Sequence, residues 1–310
     1  MNSLWGWIGF NLVVLAILAL DLGVLHRREQ KVSVKEAATW SAVWIALSLS
    51  FALAIYLTMG KESGLEFLTG YLIEYALSVD NIFVFVLIFS YFEVPEKYQH
   101  RVLFWGIIGA LLLRGMMIVA GSALVTRFSW TLYIFGAFLL ITGIRMALQK
   151  DEVAYNPNRD PVLRLTRRVI PVTSEYRGDS FFVRETAADG RTRVQATPLF
   201  IVMIIVNTTD IIFATDSIPA IFAITRDPFI VYTSNICAVL GLRALYFLLA
   251  GVVDKFVYLK LGLSLVLIFI GGKMLLEHFV HLPIVASLGV VGAVLAASIF
   301  ASLRWPREGH

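Results

Sequence analysis

Nine separate stretches of roughly twenty mostly apolar residues run through this chain, at about 5–25, 37–58, 67–91, 102–124, 129–148, 197–222, 229–252, 258–278 and 283–303. Each is long enough to cross the hydrocarbon core of a bilayer. Inside lipid every backbone N–H and C=O must be satisfied within the structure, so segments of this kind fold as helices. Composition agrees: 58% of the residues are hydrophobic and 15% charged, against roughly 25% charged in soluble proteins. The fold class expected is an all-α polytopic membrane protein with about nine transmembrane helices. The first stretch is too long for a signal-peptide core and has no charged region before it, so it reads as a retained span.

Lys and Arg positions orient such a chain. With the N-terminus outside, 19 of the 26 basic residues fall in inside segments and only Lys61, Arg127 and Arg226 in outside ones; Arg114, Arg145, Arg243 and Lys273 lie within spans. The expectation is N-terminus out and C-terminus cytoplasmic. The net charge of +4 therefore reports topology, and no nucleic-acid partner is expected. There is no phosphate-binding glycine loop, dinucleotide fingerprint or Ser/His/Asp constellation, so the chain is not expected to be an enzyme or to hold a cofactor. The single cysteine, Cys237, lies within a span, and all five histidines lie at or beyond span ends. That pattern offers no zinc or copper ligand set.

Two spans carry acids. The third holds Glu74-Tyr-Ala-Leu-Ser-Val-Asp80-Asn81, and about 130 residues later the sixth holds Asp210-Ile-Ile-Phe-Ala-Thr-Asp216-Ser217. The same six-residue step separates the acids, and a small polar residue follows the second one. An ionised side chain at mid-membrane costs at least ~2.5 kcal/mol, so such residues need a partner or a function. Residues seven apart on a helix are only about 20° out of line, so Glu74 and Asn81 share a face while Asp80 points elsewhere unless the helix breaks. Pro219 predicts a kink and a freed carbonyl near Asp216. Arg114, midway along the fourth span, is the expected counter-charge for an acid on the third. Arg145 reads as an interface anchor, and Asp21 as an acid near the inner interface.

Other features repeat along with the acids: Leu113-Arg114 with Leu242-Arg243, Ala120-Gly121 with Ala250-Gly251, and Arg145-Met146 with Lys273-Met274. A unit of three spans has an odd number of crossings, so the second copy is inverted, an arrangement that recurs in secondary transporters. The expected organisation is two N-terminal helices (1–66), a first three-helix repeat (67–148), a cytoplasmic loop (149–196), a second repeat (197–278) and a last helix with a basic tail (279–310). Within the loop, Asp160-Pro161 opens a basic amphipathic stretch suited to a membrane surface. Phe181 to Val183 and Thr192 to Val194 flank Asp189-Gly190, as in a hairpin.

The central inventory is Glu74, Asp80, Asn81, Asn207, Asp210, Asp216 and Ser217, with Arg114 and Arg243 as charge-balancing residues. Four acids against two arginines leave a formal charge of about −2 and hard oxygen ligands, which suit Mg²⁺, Ca²⁺ or Mn²⁺. Exchange of the metal against protons follows as an expectation.

The two acid motifs, the run Asp227-Pro-Phe-Ile to Gly241-Leu-Arg243-Ala-Leu-Tyr-Phe, and Ala196-Thr197-Pro198-Leu199 resemble the TerC family, and its Alx-type members in particular, over essentially the whole chain. The resemblance implies an inner-membrane protein related to the lysine-exporter superfamily, with export of Mn²⁺ as its activity. It carries over Glu74, Asp80, Asn81, Asp210, Asp216 and Ser217 as metal and transport residues. Three residues before Asp210 the family usually has glutamate, whereas this chain has Asn207, an amide that keeps an oxygen ligand but carries neither charge nor proton. A second implied role is that of a membrane partner delivering metal to secreted metalloproteins, or serving a tellurium-resistance complex, with the loop as docking surface.

Overall fold

A computed structural model gives the fold. It describes residues 4–25, 33–128, 130–148, 166, 168, 170–173, 175–186, 192–250, 258–276, 279 and 282–304; within them, the side chains of residues 20–25, 80, 185–186 and 192–193 lie outside the description. The described residues form α1 (Leu4–Leu25), α2 (Val34–Met59), α3 (Lys61–Tyr91), α4 (Glu96–Arg127), α5 (Thr131–Leu148), β1 (Phe182–Thr186), β2 (Thr192–Ala196), α6 (Pro198–Phe222), α7 (Pro228–Leu249), α8 (Leu259–Leu276) and α9 (Ile284–Arg304). The chain is an all-α polytopic membrane protein: α2 to α9 are each long and apolar enough to span a bilayer, and α1 is an apolar helix of 22 residues.

Local chemistry sets the helix ends. Ser33 caps α2 by accepting from the Glu36 N–H, and Asp227 caps α7 by accepting from the Phe229 N–H at 2.8 Å. Pro198 and Pro228 open α6 and α7, where a missing N–H costs nothing. Neither acid-bearing helix is broken. α3 runs without interruption through Asp80, because a polar side chain alone leaves the backbone ladder intact. Pro219 falls in the last turn of α6, so little helix remains beyond it to be deflected.

Contacts run between the two expected units far more than within them. α3 packs on α7, α4 on α6 and α5 on α8, and an exchange of the two units converts the first pairing into the second and leaves the third unchanged. The α5/α8 pair is antiparallel: Gly136 meets Gly271 and Met274, while Gly143 meets Ser264 and Ile268. If Gly143 is aligned with Gly271, as the Arg145/Lys273 match requires, the contact Gly143 to Ser264 becomes Gly271 to Gly136. The interface is thus related to itself by inversion. Small residues here let two backbones approach closely, which is how helices associate where lipid removes the hydrophobic drive. α7 is the central helix, with 83% of its apolar window buried, against 17% for α2 and α9. α1 packs on it through Trp7 and Phe10 against Phe229 and Tyr232.

β1 and β2 form the expected antiparallel hairpin, Phe182 opposite Ala196 through Thr186 opposite Thr192. The intervening Asp189-Gly190, and the stretch opened by Asp160-Pro161, lie outside the described residues. The segment leading into the hairpin is held by the turn between α3 and α4 and by the start of α4. The Tyr176 hydroxyl donates to the Phe92 carbonyl at 2.6 Å, Arg101 pairs with Asp179, and the Arg101 guanidinium lies 5.1 Å from the centre of the Phe181 ring. Thr197, at the start of α6, donates to the Ser180 carbonyl at 2.6 Å. Burial pushes the Tyr176 hydroxyl up to about 12, from about 10 in an unfolded chain. A raised phenol keeps its proton, so its contribution is complete below pH 10 and is lost as pH rises toward 12. Protease cleavage of the loop should therefore be flat from pH 7 to 9.5 and accelerate above pH 10, while Tyr176→Phe removes that acceleration.

Candidate cation site

The middle of the bundle holds a buried charge cluster. Arg114 of α4 donates through Nε and Nη2 to both carboxylate oxygens of Asp210 on α6, at 2.9 and 2.7 Å, a bidentate arrangement that the planar guanidinium is shaped to make. Its Nη1 donates to Oε1 of Glu74 on α3 and, at 3.4 Å, to Oδ1 of Asn235 on α7. The Asn235 amide donates in turn to the other Glu74 oxygen at 2.9 Å. Arg114, Glu74, Asp210 and Asn235 are each at most 2% exposed. In a medium of low dielectric such a network holds only because every member is paired. It places the first acid of each motif on one guanidinium, so α3 and α6 are joined through α4.

The second acid of the later motif stands apart. Asp216 lies six residues beyond Asp210, less than two helical turns and about 9 Å along the axis; it is half-buried and lies near Thr142 of α5. The side chain of Asp80 lies outside the described residues, as does that of Asp21. Arg145 is exposed at the end of α5. No group of three or more His, Cys, Asp or Glu that could hold a metal occurs among the described residues. Among the described side chains, Glu74 and Asp210 close around Arg114 and Asp216 lies outside that cluster.

Three of the predicted site residues, on the same two helices, have a buried oxygen with no hydrogen-bond partner. Asn81 and Ser217, each 1% exposed, have no hydrogen bond to Oδ1 and Oγ respectively. Asn207 donates its amide to the Met203 carbonyl at 2.9 Å, and its buried Oδ1 also lacks a partner. Gly109 makes room for it: a Cβ there would stand 1.8 Å from that oxygen. Buried polar atoms are rarely left unpaired; Asn207 and Ser217 lie ten residues apart on α6, about 15 Å along the axis, so these oxygens are separate hard donors and not one ligand shell. Arg243 of α7 is half-buried and lines a small cavity with Asp210, Gly106, Leu103 and Leu242.

Residues 59–309 match the integral membrane protein TerC family. The chain belongs to the TerC family. A Myxococcus xanthus protein named "Uncharacterized membrane protein STKORF319" is 54% identical over 297 residues, covering 96% of this chain and 91% of its own. An Escherichia coli (strain K12) protein named "Putative membrane-bound redox modulator Alx" is 49% identical over 316 residues, covering 99% and 96%. A Rickettsia bellii membrane protein is 43% identical over 297 residues, covering 96% of each. No solved structure matches the chain. The family match takes in α3 to α9, and so both acid motifs, Arg114, Arg243 and Asn235.

Asn235 is the site residue that sequence reasoning passes over. Attention to ionised groups hides an amide, yet Ser234-Asn235 lies in the interior of the seventh apolar stretch, and a polar pair at that depth needs partners as an acid does.

Proposed function

We propose that this TerC protein is a secondary transporter that exports divalent metal cations, Mn²⁺ first among them, across the bacterial inner membrane, with its N-terminus outside and C-terminus cytoplasmic. The observation carrying this reading is the cluster in which one buried carboxylate from each inverted unit shares a single guanidinium. Such a pair is expensive to build for helix cohesion alone, since well-packed apolar residues hold helices at least as well. Arg114 pairs with Glu74 and Asp210. An entering dication is taken up first by one neighbouring set of oxygens, Asp216 with Ser217 or Asp80 with Asn81, and then competes with the guanidinium for the carboxylates; Asn207, nine residues before Asp216 on the same helix, is a separate station. Hard oxygen donors favour Mn²⁺, Ca²⁺ and Mg²⁺ over thiophilic metals, and Asn207 in place of a glutamate leaves one fewer charge to set that preference. No bound cofactor and no enzymatic step are part of the proposal.

The name of the Escherichia coli relative speaks of redox modulation. Dithiol exchange within one chain needs two sulfurs, and this sequence has a single cysteine. The test of the export reading is manganese tolerance of cells carrying Asp80→Asn or Asp216→Asn. Both variants should reach the membrane at normal levels and lose tolerance; full tolerance in both would defeat the assignment.

A further inference from the structure

We infer that Arg114 and Arg243 exchange places over the Glu74/Asp210 pair, that each arginine marks one of two conformers, and that Asn235 sets the balance between them. The inference deepens the transport reading, on which it rests for its purpose but not for its measurement. Inversion makes Glu74 the counterpart of Asp210 and Arg114 that of Arg243. Eight residues before these arginines stand Gly106 and Asn235 respectively. One half-site is therefore Glu74, Asn235 and Arg114; its counterpart is Asp210, Gly106 and Arg243.

The structure fills the two half-sites differently. In the first, Asn235 bridges Glu74 and Arg114. In the second, Asp210, Gly106 and Arg243 line a common cavity, with no side chain at position 106 to bridge acid and arginine. Arg114 meanwhile crosses over and takes both oxygens of Asp210. The inverted arrangement has Arg243 swung through that cavity onto Asp210 and Glu74, and it lacks an amide equivalent to Asn235. The Arg114 conformer is accordingly favoured, by the two hydrogen bonds of Asn235. One guanidinium always covers the acids, so neither end has to open onto uncompensated carboxylates.

The test is electron-paramagnetic distance measurement on full-length protein in nanodiscs without metal. Spin labels replace Tyr91 and Leu261 in one sample and Leu124 and Leu276 in another, all exposed positions, on a Cys237→Ser background. The parent should show one dominant distance per pair. Asn235→Gly should raise a second distance about five- to thirtyfold in population ratio, the effect of one to two hydrogen bonds. Adding Arg243→Gln should remove it. Gly106→Asn with Val206→Ala, which supplies the missing amide beside Asp210 and relieves the 3.2 Å approach of a Cβ to the Val206 side chain, should raise the same second distance with every residue of the Arg114 cluster left in place. That arm decides the matter if Asn235→Gly does not fold. Unchanged distances in the variants, or a second distance that persists in the presence of Arg243→Gln, overturn the exchange. Two exchanging conformers in a protein that moves no manganese would uphold the exchange and remove the export reading; manganese flux with one invariant distance would do the reverse.

Discussion

Arg114→Met should destabilise the protein by about 3–5 kcal/mol, the usual penalty for leaving buried charge without its partner. The reason is geometric: Arg114 meets both Asp210 oxygens and Glu74 and is their cationic partner among the described residues, and these carboxylates are at most 2% exposed. Thermal unfolding in detergent, followed by tryptophan fluorescence, measures the loss. Neutralising both acids in the same chain, as Arg114→Met with Glu74→Gln and Asp210→Asn, should restore most of it, because replacing an entire buried ion network by groups of similar volume is close to neutral. A single variant as stable as the parent would show that the cluster contributes nothing to cohesion.

The second large effect concerns the α5/α8 seam. A Cβ at Gly271 would stand 2.6 Å from the Leu140 nitrogen and 2.7 Å from the Gly136 carbonyl oxygen. Both are backbone atoms, so the helices themselves must separate. Gly271→Ala should cost about 1–3 kcal/mol from overpacking. Gly272, its neighbour, has nothing within 4 Å of such a Cβ, and Gly272→Ala should stabilise the helix by about 0.5–1 kcal/mol. Opposite signs from the same substitution one residue apart, read by the same thermal unfolding, identify the seam; equal effects would mean that the two helices are not held this closely.

Much of this architecture is legible in the sequence, because bilayer physics is strict. Apolar length dictates the spans, and an inverted duplication follows from matched acids, arginines and an odd number of crossings. The hairpin shows in Phe181 to Val183 and Thr192 to Val194, with the turn residues between them. What the sequence hides is which partners the side chains choose. Arg114 and Arg243 look equivalent, yet Arg114 lies in the described cluster with both first acids while Arg243 lines the cavity beside Asp210. Similarly, the six-residue step within each motif suggests one pool of acids, whereas Asp216, less than two turns along α6 from Asp210, lies near Thr142 on a different helix. Pro219 suggests a kink within the motif, but it sits where α6 is already ending.

The most direct measurement of the central claim is Mn²⁺ flux into liposomes holding the purified protein, with Ca²⁺ and Mg²⁺ as competitors, for the parent and for Asp216→Asn. Transport reading predicts flux in the parent, competition by the hard cations, and at least tenfold loss in the variant, about 1.4 kcal/mol of binding or barrier. Absence of flux in the parent, or equal flux in both proteins, would contradict it.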